Sequence, residues 1–94
     1  IYDTLYQNYP NPFNEGTVIE YYISADSLGD VEITIFNLLG QKVRSLTETI
    51  RTSGRHELYW NGRDNSGNSL PSGIYFYQLK TGKEVLSKKM IYLK

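Results

Sequence analysis

Apolar and polar residues alternate with a period of two through most of this chain, and the three-to-four spacing of a helix is found nowhere. Residues 17–23 put Ile19, Tyr21 and Ile23 on one face of a strand. Residues 31–36 alternate again, with Val31, Ile33 and Ile35 facing in and Glu32 and Thr34 facing out. Residues 41–48 read as a further strand, but its anchors Val43 and Leu46 do not share a strict period, so a bulge or irregular edge is expected. Residues 55–60 place His56, Leu58 and Trp60 on one face, and residues 74–80 do the same with Tyr75, Tyr77 and Leu79. Residues 84–93 form a last strand, and a short seventh lies around residues 2–6.

Turn signals separate these runs. Ser, Asp and Gly cluster over residues 24–30, and Asn37 and Gly40 close a reversal. Residues 52–54, 61–68 and 81–82 supply the remaining turns. About seven short strands with turns roughly every eight to twelve residues predict an all-β antiparallel sandwich.

The chain has 94 residues, enough for one domain, and no cysteine, so packing alone must hold it. The apolar inventory is rich in rings: nine Tyr, three Phe and one Trp. Tyrosine buries a large ring while its hydroxyl seeks a partner or water, which suits a thin sandwich with side chains reaching the rim. The formal net charge is zero, but residues 1–50 carry −5 and residues 51–94 carry +5. Lys80, Lys83, Lys88, Lys89 and Lys94 crowd the last fifteen positions. They mark either an interaction surface or a solvated face whose lysines guard a sheet edge. No apolar run approaches the ~20 residues of a membrane helix. The chain shows no signal peptide and begins at Ile1 without methionine, so it reads as a piece cut from a longer protein.

Residues 8–14 (Asn8, Tyr9, Pro10, Asn11, Pro12, Phe13, Asn14) cannot be regular structure, because two prolines remove donors and fix φ. In order along the chain there follow Thr17-x-Ile19-x-Tyr21 and Val31-x-Ile33-x-Ile35 running on through Phe36, Asn37, Leu38, Leu39 and Gly40 to Val43. Trp60, Asn61, Gly62, Arg63 and Asp64 come next, then Ser72, Gly73, Ile74 and Tyr75, then the lysine-rich last strand. Together these resemble the type A C-terminal sorting domain of the type IX secretion system of Bacteroidetes and related bacteria. The resemblance covers residues 5–94 and extends in fold to the immunoglobulin-like domain of the flagellar hook-capping protein. It implies an immunoglobulin-like or fibronectin III-like sandwich, residues 1–94 being a single module from the C-terminus of a larger secreted protein. Such a module folds in the periplasm and is met by an outer-membrane translocon. A cell-surface sortase cuts ahead of it and couples the cargo to a surface lipopolysaccharide, so the destination is the cell surface or the medium. One departure is Glu15-Gly16 after Asn14, where many members have proline.

Most of the motif residues have structural readings. Pro10, Asn11, Pro12 and Asn14 rigidify a crossover, and Phe13 plugs one end of the sandwich. Asn37 and Gly40 make a turn, while Trp60 and Gly62 belong to the core and its adjoining turn. Gly73 allows close backbone approach, and the Tyr75 hydroxyl ties to nearby backbone as in a tyrosine corner. Residues 64–68 alternate oxygen side chains beside a glycine, yet only Asp64 is an acid and no glutamate closes the loop, so Asx caps are expected rather than calcium. His56, the one histidine, has no cysteine or serine–acid setting to make it catalytic. No catalytic, cofactor or metal-ligating set is found, and neither nucleic-acid binding nor membrane insertion is expected of a charge-balanced chain; a monomer is. The functional weight falls on the last strand, where Lys88, Lys89, Met90, Tyr92 and Lys94 are the candidate docking residues, by edge pairing or charge matching. A competing reading is a carbohydrate-binding or adhesion module using Tyr2, Tyr6, Tyr22, Tyr59 and Phe76, and a third is a passive spacer.

Overall fold

The computed structural model describes residues 2–94. Seven strands form two antiparallel sheets: β1 (Thr4–Leu5), β2 (Thr17–Ile23), β3 (Gly29–Phe36), β4 (Lys42–Ile50), β5 (Gly54–Trp60), β6 (Gly73–Lys80) and β7 (Val85–Tyr92). One sheet has the order β1-β2-β5, the other β4-β3-β6-β7. This is the immunoglobulin-like sandwich expected from the sequence. Among the described residues no helix is long and apolar enough to cross a membrane.

The alternating residues form the core. Ile19, Tyr21 and Ile23 from β2 face Val31, Ile33 and Ile35 from β3 and Tyr75, Tyr77 and Leu79 from β6, and all nine are buried. Val43 is the irregularity expected in β4: the register passes from Ile35↔Arg44 to Phe36↔Lys42 and skips it. Some boundaries differ from the expectation. The first strand is only two residues long, because the chain after it keeps only isolated bonds to β2, at Tyr6 and Tyr9, before crossing to the other sheet at Phe13. Residues 24–30 contain a 3-10 turn, Ala25–Ser27, and β3 starts at Gly29. β4 runs on to a buried Ile50 that no period pointed to. Thr34 does face away from the core, yet it is buried, since β4 and β6 flank it with Ser45 and Gln78 on either side.

Rings close one end of the sandwich. Phe13 stacks on Tyr92 with centroids 4.7 Å apart and meets Trp60 edge-on at 5.7 Å. Trp60 also meets Tyr75 edge-on. Gly62 lies against this cluster at φ +77°, where a Cβ would come within 2.7 Å of the Tyr92 ring. Gly62→Ala should therefore cost about 1–3 kcal/mol for the left-handed backbone and the displaced ring. Gly16→Ala is the control. A Cβ there meets only the outer end of Tyr59, an exposed side chain that can swing away. Urea midpoints of the two variants should separate clearly, and equal midpoints would refute this account.

A carboxylate fastens the other end. Asp3 is 6% exposed and accepts hydrogen bonds from the Ser24 amide (2.8 Å), the Ser27 hydroxyl (2.7 Å) and the Thr81 hydroxyl (3.1 Å). Thr81 in turn caps its own turn, accepting from the amides of Lys83 and Glu84. Burial pushes the Asp3 pKa up, but the bonds from Ser27, Ser24 and Thr81 outweigh it, and the net pKa falls below 3.8. A depressed folded pKa gives stability that is present above the unfolded value and lost as pH falls through the folded one. Wild type should thus weaken between about pH 5 and pH 2, while Asp3→Asn should be weaker at neutral pH and flatter across that range. Chemical denaturation at several pH values reads both.

Candidate docking surface

The last strand and residues 7–13 are built into each other. β7 is an edge strand hydrogen-bonded to β6 on one side. On its other side, Gln7 Nε2 donates to the Lys89 carbonyl (2.7 Å) and the Ile91 amide donates to Asn11 Oδ1 (2.9 Å). The Phe13 amide donates to the Ile91 carbonyl (3.1 Å), and the Leu93 amide to the Phe13 carbonyl (2.8 Å). Tyr9 meanwhile pairs with Val18 of β2, so this segment straddles both sheets. The Tyr9–Pro10 and Asn11–Pro12 peptide bonds are cis. Asn8 is buried; its amide donates to the Tyr77 hydroxyl (2.8 Å) and its Nδ2 to Thr17 Oγ1 (3.0 Å). The Tyr77 hydroxyl donates onward to the Tyr6 carbonyl (2.7 Å). Thr17 opens one of the ordered motifs and Tyr77 belongs to none, and for both only the alternation points inward.

This segment covers only part of the β7 edge. Among the described residues, no hydrogen bond joins it to β7 ahead of Lys89. Val85 and Ser87, both exposed, therefore present free groups on the side of β7 away from β6, with Lys88 and Lys89 beside them. Lys88, Lys89 and Lys94 are exposed, and among the described residues none has a carboxylate within ion-pair distance. Lys88 and Lys89 lie on opposite faces: Lys88 is the register partner of inward Tyr77, and Lys89 that of outward Phe76. Two of the docking candidates need correction. Met90 (0% exposed) and Tyr92 (4%) are core residues, so no partner can touch them while the domain is folded. Their place in β7 gives the reason, since they oppose Tyr75 and Gly73 on the inner face.

The structural motif residues sit as follows. Phe13 is buried at the sandwich end, while Pro10, Asn11, Pro12 and Asn14 are exposed around it. Asn37 Oδ1 accepts from the amides of Leu39 and Gln41, and Gly40 adopts φ +81°. Trp60 Nε1 donates to the Arg63 carbonyl (2.9 Å). Asp64 Oδ1 accepts from the amides of Ser66 and Asn68, which makes this an Asx-capped turn. Tyr75 donates its hydroxyl to the Pro71 carbonyl at 2.6 Å. Gly73 differs from expectation, because a Cβ there would meet nothing within 4 Å and close approach is not its role. His56 is half-buried, bonds the Thr52 carbonyl and stacks on Tyr21. The candidate sugar-stacking rings are spread out: Tyr2 is exposed near the start of the described chain, Tyr22 and Tyr59 flank the Glu20–Glu57 pair on one sheet, Arg55 covers Tyr6, and Phe76 is on the other sheet.

The profile of the secretion system C-terminal sorting domain family matches residues 7–93. The chain belongs to that family. The role expected from the ordered motifs follows: it is a type IX sorting domain, a kind of module carried by proteins bound for the cell surface or the extracellular space. Solved structures agree on the fold. The sorting domain superposes on part of dimeric latent PorU from Porphyromonas gingivalis with TM-score 0.78 and 21% identity, over 99% of this chain and 10% of that one. PorZ of the same organism, described as an essential surface component of the type IX secretion system, gives 0.67 and 23%, over 96% of this chain and 11% of PorZ. FlgD from P. aeruginosa gives 0.59 and 16%, over 97% and 64%, which bears out the expected likeness in fold. The sorting domain thus spans about a tenth of the two longer chains. No curated protein sequence matches it significantly.

Proposed function

We propose that the domain is a non-catalytic export label at the C-terminus of a larger protein, read as a folded single copy by an outer-membrane translocon and then by a cell-surface sortase. The observation that supports this reading is β7. It is an edge strand whose first half, among the described residues, keeps its outer groups unpaired, and the flanking lysines have no carboxylate within ion-pair distance there. A partner strand can add to such an edge, and acidic side chains can match the lysines. Surface charges of this kind govern the rate and specificity of encounter more than the stability of the fold.

The test is a fusion of residues 1–94 to the C-terminus of a periplasmic reporter in a host with type IX secretion. The reporter should reach the medium or the cell surface. Changing Lys88, Lys89 and Lys94 together to glutamate should cut the exported fraction several-fold, while the unfolding free energy measured in urea changes by less than about 1 kcal/mol, as exposed sites allow. Full export of the triple variant would sink the β7 reading, and a reporter that stays inside would sink the label itself.

A further inference from the structure

Turns are ordinarily made of residues at ease in water. The turn after β3 is not: Leu38 is 66% exposed and Leu39 83%. Neither leucine contributes to the core, and the turn that carries them is closed by several backbone hydrogen bonds. Besides the two amides that Asn37 Oδ1 accepts, Gly40 N donates to the Asn37 carbonyl and Asn37 N to the Gln41 carbonyl, each at 3.0 Å. The fold therefore spends a rigid turn on displaying two large apolar side chains.

They do not stand alone. Leu38 and Leu39 line a recess with Pro71, Ile74 and Tyr75. From Ile74 the apolar surface continues over the outer face of the four-stranded sheet. Ile74 pairs with Ile91, and Phe76 pairs with Phe36. The cations lie at its margins: Lys42 is the register partner of Phe36, Lys89 that of Phe76, and the Lys94 amide is held by Ser72. The first carboxylate on this face is Glu32, two cross-strand rows away and already opposite Lys80. The face is thus apolar at its centre and basic at its edge, with no carboxylate in the two rows around Phe76 and Ile74; Asp64 lies beyond Lys42, across a recess that the two share.

We propose that this face docks a protein segment that carries apolar side chains among carboxylates. The recess between the leucine turn, Pro71 and Ile74 gives an inserted side chain a concave seat, which a flat lipid surface would leave unfilled. A second copy is disfavoured because two such faces would set lysines against lysines. The proposal rests on the sorting role only for its purpose, because Leu38, Leu39, Ile74 and Phe76, which form the centre of the contact, lie off β7, with Lys89 bordering both surfaces.

The experiment is an NMR titration of the isotope-labelled 94-residue domain. The probes are three short synthetic peptides, Leu/Glu alternating, Leu/Lys alternating and Ser/Glu alternating, together with phosphatidylglycerol vesicles. The Leu/Glu peptide should bind, shifting Phe36, Leu38, Leu39, Ile74, Phe76 and Ile91, and should weaken as salt is added. The double variant Leu38→Ser, Leu39→Ser should keep the native spectrum and lose about tenfold or more in affinity. The proposal is overturned if the Leu/Lys peptide binds equally well, if the Ser/Glu peptide does, or if only vesicles bind. It is overturned equally by a concentration-dependent dimer that buries the face, or by unchanged affinity in the double variant. Because no secretion host is involved, this outcome and that of the reporter fusion fail or succeed separately.

Discussion

Trp60→Ala is expected to remove about 3–5 kcal/mol, a large share of the ~5–15 kcal/mol that holds a domain of this kind folded. Trp60 is 1% exposed and is the largest side chain in the core. It touches Phe13, Tyr75 and Tyr92, rings that come from the crossover loop, β6 and β7. Truncation opens a cavity at the junction of both sheets, and the donor to the Arg63 carbonyl disappears as well. Urea unfolding followed by circular dichroism measures the loss, since the intrinsic tryptophan signal goes with the mutation. A cost below about 1 kcal/mol would mean that the ring cluster does not hold this end together.

The second large effect comes as a matched pair with opposite signs. Tyr21 and Tyr77 are both fully buried, and burial pushes both hydroxyls up to about 12, with Glu48 adding to the effect at Tyr21. The Tyr77 hydroxyl accepts from the Asn8 amide and donates to the Tyr6 carbonyl, joining the crossover to β6. Tyr77→Phe leaves both backbone groups without a partner and should cost about 2–4 kcal/mol. The Tyr21 hydroxyl is buried with no hydrogen-bond partner among the described residues. Tyr21→Phe removes an unsatisfied group and should be neutral or stabilising by up to about 1–2 kcal/mol. Deleting one oxygen at each site therefore separates the value of a satisfied bond from the burden of an orphan. Equal destabilisation by the two changes would contradict the geometry.

The contrast bears on what the sequence could disclose. Alternation marks Tyr21 and Tyr77 as inward equally well, because both sit in clean period-two runs. It is blind to what their hydroxyls meet, since Asn8 is 69 residues from Tyr77. Asp3 was hidden for the same reason: an acid near the start reads as solvated until Ser24, Ser27 and Thr81 surround it. Local signals fared better. The Asn37 and Asp64 turns and the Tyr75–Pro71 bond all close within four residues, and each formed as its residue types foretold. In β7 the pattern blurred because Lys88 occupies an inward register position but lies at the rim, where the nearest strand of the other sheet, β1, is only two residues long. With that lysine breaking the apolar row, Met90 and Tyr92 could not be told apart from accessible neighbours.

The way the two extremities are fastened has a mechanical consequence. Phe13 and Tyr92 pair in parallel, while the described chain begins near Thr81 and leaves past Ser72, at opposite ends of the sandwich. Tension drawn between Tyr2 and Lys94 would load the Gln7–Lys89, Asn11–Ile91, Phe13–Ile91 and Phe13–Leu93 bonds in shear, all together. A hairpin pulled from its open end unzips one rung at a time, but this arrangement has to slide as a block. Stretched between its two ends, the domain would hold as a solid particle until all of these bonds gave way at once.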